Sequence, residues 1–110
     1  MGKRRRSVVA VVMALTLVLV FATAVAATVT KSGTRTCATN YTPYSRSYST
    51  GFTEHFPPGS GYYSWNNGST WIVRKRYADH AGGGGWWEVA VTSGSLSDSG
   101  TYAGCDPTGF

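Results

Sequence analysis

The stretch Tyr44-Ser45-Arg46-Ser47-Tyr48-Ser49-Thr50-Gly51-Phe52 has the cleanest two-residue period in the chain. In an extended backbone, successive side chains point to opposite faces, so Tyr44, Tyr48 and Phe52 share one face while the serines and Gly51 share the other. That pattern predicts a β-strand with one aromatic face. On its N-terminal side, Pro43 separates it from a first candidate strand that contains Arg35 to Tyr41. On its C-terminal side, Pro57-Pro58-Gly59-Ser60-Gly61 reads as a turn or loop.

The runs Tyr62 to Trp65 and Thr70 to Tyr77 flank Asn66-Asn67-Gly68-Ser69, and an Asn-Gly pair between two β runs is a strong short-range hairpin signal. A hairpin is expected there. In its second arm Trp71, Val73, Lys75 and Tyr77 share one face and Thr70, Ile72, Arg74 and Arg76 the other, and the aromatic face is expected to be core. Gly82 to Gly85 reads as an open loop, Trp87, Val89 and Val91 as the buried face of the next strand, and Thr101 to Cys105 as the last strand. No segment among these has helical spacing. Few Leu and Ala and many Thr, Ser, Tyr, Trp and Val make a β composition, and about six strands joined by tight turns predict an all-β, small antiparallel sandwich or barrel.

This domain is expected to follow an N-terminal signal helix. The opening MGKRRR carries four positive charges, and Val8 to Phe21 is an apolar run interrupted only by Thr16. Ala24-Val25-Ala26 then fits the small-residue cleavage rule, so residues 1–26 read as a Sec-type signal peptide cleaved after Ala26 or Ala27, and 27–110 as a single secreted β domain. Retention of the same segment as a membrane anchor is the competing reading, since 20 uncharged residues can span a bilayer. With cleavage, contact with the membrane is confined to export.

Once the leader is set aside, six basic side chains face five acidic ones, so the basic character of the whole chain belongs to the leader and gives no reason to expect a nucleic-acid partner. A domain of about 83 residues is short for a self-sufficient core and calls for a staple. Cys37 and Cys105 are the only cysteines. In an oxidising compartment they allow one pairing, and a bridge closing nearly the whole β region contributes about 4 kcal/mol in the chain-entropy account.

The chemistry-bearing motifs are sparse. There is no G-x-S-x-G elbow, H-E-x-x-H helix or phosphate loop, and Trp87 occupies the place where a dinucleotide loop would need its third glycine. No cofactor, metal or catalytic residue is expected. Glu54-His55 and Asp79-His80 are the nearest approach to an acid-base or metal constellation, and they underlie the least favoured alternative, a small metalloprotein or hydrolase. The aromatic load is more informative: seven Tyr and four Trp accompany three Phe beyond the leader. Most are expected to fill a core poor in Leu and Ile. Trp86 and Trp87 must face opposite ways, so one of them should be exposed. Exposed Trp and Tyr on a β surface can stack on sugar rings or anchor a partner.

Two resemblances arise from these residues. Asp98-Ser-Gly-Thr-Tyr102-Ala-Gly-Cys105 resembles the tyrosine corner and cysteine of immunoglobulin variable domains, although Tyr102 stands three residues before the cysteine where that family has two. Trp65-Asn-Asn-Gly68-Ser69, Trp87-x-x-Ala90 and Leu96-Ser-Asp-Ser-Gly-Thr-Tyr102 resemble the turn and C-terminal strands of lactococcin-972-like bacteriocins, over about the second half of the mature chain. The chain is also similar to small secreted proteins of actinobacteria. The bacteriocin resemblance implies an exported β sandwich that engages a cell-wall precursor of other bacteria. The two cysteines and the Gly82 to Gly85 run depart from that family.

The expected function is therefore a secreted non-enzymatic binding protein, a bacteriocin acting at the cell envelope, with a carbohydrate-binding or surface-matrix module as the alternative. Its expected partner is a cell-wall precursor or a polysaccharide. The candidate contact residues are Tyr62, Trp65, Trp71 and Trp86, with Arg74 and Arg76 to meet phosphate or carboxylate groups.

Overall fold

The computed structural model describes residues 27–108; the expected signal peptide and its cleavage site lie outside the described residues, apart from Ala27. Seven strands follow in chain order: β1 (Thr28–Cys37), β2 (Tyr41–Ser49), β3 (Phe52–Phe56), β4 (Tyr63–Asn66), β5 (Ile72–Tyr77), β6 (Gly83–Thr92) and β7 (Tyr102–Pro107). They form two antiparallel sheets, a four-stranded one in the order β1-β6-β3-β4 and a three-stranded one in the order β5-β2-β7. No helix occurs among the described residues. The expected all-β sandwich is what forms, with seven strands in place of about six.

The additional strand comes from the reach of the second one. β2 begins at Tyr41 and ends at Ser49, and the chain turns at Thr50-Gly51 into β3, which belongs to the other sheet. Gly51 has φ 77°, and a Cβ there would stand 2.8 Å from Gly94 Cα and Ser93 O, so only glycine fits this corner.

The expected Asn-Gly hairpin does not form. β4 pairs with β3, whereas β5 pairs with β2, so residues 67–71 carry the chain from one sheet to the other. The cause is the Asn67 side chain, which turns inward. Its amide Nδ2 donates to Ser49 O (3.3 Å), Ser49 Oγ (3.2 Å) and Thr53 Oγ1 (3.2 Å), while its Oδ1 accepts from Arg74 Nε (3.1 Å). Its backbone N–H donates to Gly51 O, and Gly51 N–H donates to Gly68 O. The two crossovers between sheets are thus tied to each other. The true hairpin is β3–β4, closed by the Pro57 to Tyr62 segment.

Gly82 to Gly85 is not an open loop either: β6 starts at Gly83, and Gly84 and Gly85 pair with Thr36 and Arg35 of β1. A Cβ on Gly84 would collide with the Arg35 carbonyl, and its φ of 142° suits glycine alone.

The interior is unusually polar. Trp87, Val89 and Val91 form the apolar centre, with Leu96 and Ala103 packed against them, as the alternation of β6 predicts. Facing them, β2 turns Ser45, Ser47 and Ser49 inward, all fully buried beside Thr53, His55 and Thr101. His55 lies between two serines, with Nδ1 2.8 Å from Ser45 Oγ and Nε2 2.7 Å from Ser47 Oγ. Ser49 and Thr53 hydroxyls meet at 2.7 Å. Among the described residues no buried side-chain nitrogen or oxygen lacks a partner, so the network is complete. The Trp71, Val73, Lys75 and Tyr77 face, expected in the core, is on the outside: Trp71 and Val73 are exposed and Tyr77 is half-buried. The aromatic face of Tyr44, Tyr48 and Phe52 also turns outward, with Tyr48 and Phe52 exposed and Tyr44 half-buried.

Each open side of the sandwich is closed differently. On one side Cys37 of β1 bonds Cys105 of β7, with Cα atoms 5.8 Å apart, the pairing expected from the sequence. Both β1 and β7 are edge strands of their sheets, so this bridge differs from the central inter-sheet bridge of immunoglobulin domains. On the other side the guanidinium of Arg74 lies 5.5 Å above the Trp65 ring and that of Arg76 4.0 Å above Tyr63, so β5 arginines clasp β4 rings. Trp65 also meets the edge of His55 at 4.9 Å.

Two expectations follow from this packing. Replacing both cysteines by alanine should lower unfolding stability by about 4 kcal/mol, read from denaturant midpoints. Burial, aided by the positive charge of Arg74 and opposed by the Ser45 hydrogen bond, pushes the His55 imidazole down from 6.5 to about 4. Between those values the unfolded chain binds the proton more readily than the folded one. Stability should therefore be fully present above about pH 6.5 and fall by on the order of 3 kcal/mol as the pH drops to about 4. Urea titrations across that window, with the His55 ring resonances followed by NMR, check it; an imidazole titrating near 6.5 in the folded protein contradicts it.

Candidate functional site

The inward turn of the serines has a counterpart on the other side of the same strand. β2 points Thr42, Tyr44, Arg46 and Tyr48 outward, and the register sets Tyr77, Lys75 and Val73 of β5 opposite the last three. On the other flank, β7 sets Asp106, Gly104 and Tyr102 opposite Thr42, Tyr44 and Arg46. Residues directly opposite in an antiparallel pair share a face, so these side chains form one continuous surface across all three strands.

Its rings meet in two groups. Trp71 lies 5.0 Å from Tyr48, Tyr44 meets Tyr77 edge-on at 6.0 Å, and Tyr102 meets Tyr44 at 6.5 Å. Tyr44 lies over Gly104, where any side chain would overlap its phenol. Two cations are built into the surface. The Arg46 guanidinium sits 5.2 Å above Tyr102 and donates to Gly100 O at 2.8 Å. The Lys75 ammonium stands 4.1 Å above Tyr44 and pairs with Asp106, which also accepts from the Tyr77 hydroxyl at 2.7 Å. Lys75 and then Tyr77, by donating to it, hold the Asp106 carboxyl below its ordinary range. The result is a fixed aromatic platform: Tyr48, Trp71, Val73 and Tyr102 are 37%, 46%, 49% and 41% exposed. A patch of that kind is informative where a scattered exposed apolar residue is not.

The six residues singled out from the sequence fall in three places. Trp71 belongs to the platform. Trp65, Arg74 and Arg76 are at the β4–β5 clasp, where the arginines face the rings of this chain. Tyr62 and Trp86 lie on the opposite side of the molecule, by the outer face of the four-stranded sheet, each against Phe56 at 5.1 and 5.7 Å. Trp86 is 53% exposed and Trp87 is buried, as their alternation requires.

The acid and histidine pairs do not converge. Glu54 faces outward and accepts from the Tyr62 hydroxyl at 2.5 Å, whereas His55 faces the interior. Asp79 accepts from Tyr63, and His80 Nδ1 lies 2.7 Å from Gly82 O. Among the described residues no three His, Cys, Asp or Glu side chains are grouped to hold a metal ion.

The platform also holds Tyr44, Arg46, Tyr48, Lys75, Tyr77 and Tyr102, which are not among the contact residues expected from the sequence. A signal for them is present: Arg46 shares a face with Tyr44 and Tyr48, and Lys75 with Trp71, Val73 and Tyr77. A cation in the middle of each aromatic row marks a face that meets water. In comparisons with known proteins the chain matches no protein-family model, no curated protein and no solved structure.

Gly104→Ala tests how the platform is held. The new methyl would displace the Tyr44 ring, which can swing outward, so stability should fall by only about 1 kcal/mol. The packing of Tyr44 against Tyr77 and Tyr102 should be lost, seen as shifts of all three ring resonances by NMR; unchanged shifts would show that Tyr44 does not lie on Gly104.

Proposed function

We propose that the chain is an exported, non-enzymatic binding protein that engages glycan at a bacterial cell envelope through the outer face of β5-β2-β7. The observation that carries this reading is the inversion of β2. Serines fill the interior and need a complete hydrogen-bond network there, while the tyrosines, which would fill a core with fewer polar atoms for their volume, lie on the surface. Burying one hydroxyl without a partner costs about 1–3 kcal/mol, so the serine interior depends on every hydroxyl finding a partner, as it does, and that arrangement leaves the rings free to meet a ligand.

The chemistry suits a saccharide. The C–H faces of a sugar ring pack on flat aromatic side chains, and Tyr hydroxyls, Arg46, Lys75 and Asp106 supply donors and acceptors for its hydroxyl groups. The rings are pre-positioned by mutual contact, which lowers the ordering cost of binding. Arg46 and Lys75 add positive charge for phosphate or carboxylate groups carried on the glycan. The resemblance of the second half of the chain to lactococcin-972-like bacteriocins directs the reading to the envelope of other bacteria.

The test is a pull-down of the purified exported protein on whole bacterial cells, isolated wall and defined polysaccharides, with growth followed in parallel. Wall or glycan retention is expected, reduced about tenfold or more by Trp71→Ala and by Tyr102→Ala, and unaffected by Ser32→Ala on the far sheet. Septal defects together with retention would assign a bacteriocin; retention without inhibition would assign a carbohydrate-binding module. Retention on none of these surfaces, or retention indifferent to Trp71 and Tyr102, overturns the reading.

A further inference from the structure

The opposite side of the sandwich carries a second aromatic cluster with different electrostatics. On the outer face of β1-β6-β3-β4 the alternation places Phe52, Glu54 and Phe56 from β3, Trp86 and Glu88 from β6, and Ser64 from β4. No Lys or Arg of these strands shares that face, because β1 contributes Thr28, Thr30, Ser32, Thr34 and Thr36 there. Glu88 stands opposite Phe56 in the β3–β6 register, and Glu54 is two residues before Phe56 on the same face, within about 7 Å along the strand. Neither glutamate forms an ion pair among the described residues.

Beside the paired rings of Phe56 and Trp86 lies a shallow cleft of about 280 Å³, lined also by Pro57, Gly59, Ser60 and Gly61. The wall is fixed. Gly59 N–H donates to Trp86 O at 3.2 Å, and a Cβ on Gly59 would stand 2.8 Å from His80 Nε2, so the loop is already packed down. The Trp86 and Phe56 rings are inclined at 43°, and Tyr62 is inclined at 52° to Phe56 with its hydroxyl bound to Glu54.

We propose that this cleft is a binding site for a quaternary ammonium group of the choline type, a cation with an apolar surface. The negative faces of Phe56 and Trp86 attract such a group, its methyls pack on their rings, and Glu54 and Glu88, beside Phe56 on the same face, supply the countercharge. The same carboxylates act against an anionic substituent next to the cation. Choline should therefore bind better than phosphocholine. The site is independent of the glycan platform, which lies on the other sheet.

The experiment titrates the purified exported protein with tetramethylammonium chloride, choline, phosphocholine and 3,3-dimethylbutanol, the neutral carbon analogue of choline. The readout is the Trp86 indole N–H resonance, identified by its loss in Trp86→Phe. Saturable shifts at about millimolar concentrations are expected for tetramethylammonium and choline. Binding of the neutral analogue should be at least about fivefold weaker, phosphocholine weaker than choline, and Glu54→Gln should weaken choline by about threefold or more. Thr28→Ala, at the far end of the same sheet, should leave it unchanged. Equal binding of the neutral alcohol, tighter binding of phosphocholine, or no shift up to about 100 mM overturns the proposal. None of these results bears on retention by glycan, so failure here and failure of the platform are separately visible.

Discussion

His55 held between Ser45 and Ser47 is the arrangement on which the rest of this sandwich depends. A neutral imidazole deep in the interior needs a donor and an acceptor, and β2 supplies both from alternate positions. That commits the serine side of β2 to the interior. Because the two-residue period leaves no freedom, Tyr44, Arg46 and Tyr48 are then committed to the surface. The register of β2 with β5 and β7 carries the same choice to Trp71, Lys75, Tyr77 and Tyr102. A slip of one residue would bury a tyrosine row with Arg46 in it and expose hydroxyls that now complete the network. The polar interior and the aromatic exterior are thus two outcomes of one constraint.

The two sheets meet the solvent with different chemistry. The three-stranded sheet shows rings interleaved with Arg46 and Lys75; the four-stranded sheet shows rings beside Glu54 and Glu88. Between them, the clasp of Arg74 and Arg76 over Trp65 and Tyr63 shows why conspicuous Trp and Arg residues need not be contact residues. A guanidinium over a ring at the margin of two sheets shields the apolar surface of β4 while its charge keeps access to water. The same residue types, placed elsewhere, would read as recognition.

Much of the architecture is legible in the chain. Period-two alternation, the lack of helical spacing and the single possible cysteine pairing lead to an all-β sandwich closed by Cys37–Cys105, and β6 buries Trp87, Val89 and Val91 as its pattern requires. What alternation cannot supply is which of two faces turns inward when one is aromatic and the other is serine. That choice is made by His55, Thr53 and Asn67, partners whose hydrogen-bonding needs are met only in the assembled fold. Asn67-Gly68 misleads for a related reason. The dipeptide suits a tight hairpin, but the Asn67 amide is engaged by Ser49, Thr53 and Arg74, and that non-local engagement turns a hairpin signal into a crossover. Of the candidate site, the exposure of Trp86 fits the expectation from its pairing with Trp87, whereas Trp71, although a candidate contact residue, stands on a face expected to be core. The tyrosine rows escape notice because bulk on one face of a strand ordinarily signals burial.

The bond between Cys37 and Cys105 has one more consequence, for survival among proteases. Every loop from the β1–β2 connection to the β6–β7 connection lies between these two residues, so a single backbone cut in any of them opens the ring without releasing a fragment. Both halves of a nicked molecule stay covalently joined and in register, and β-sheet pairing can hold them in place. The surfaces on both sheets would then outlast the continuity of the chain that built them.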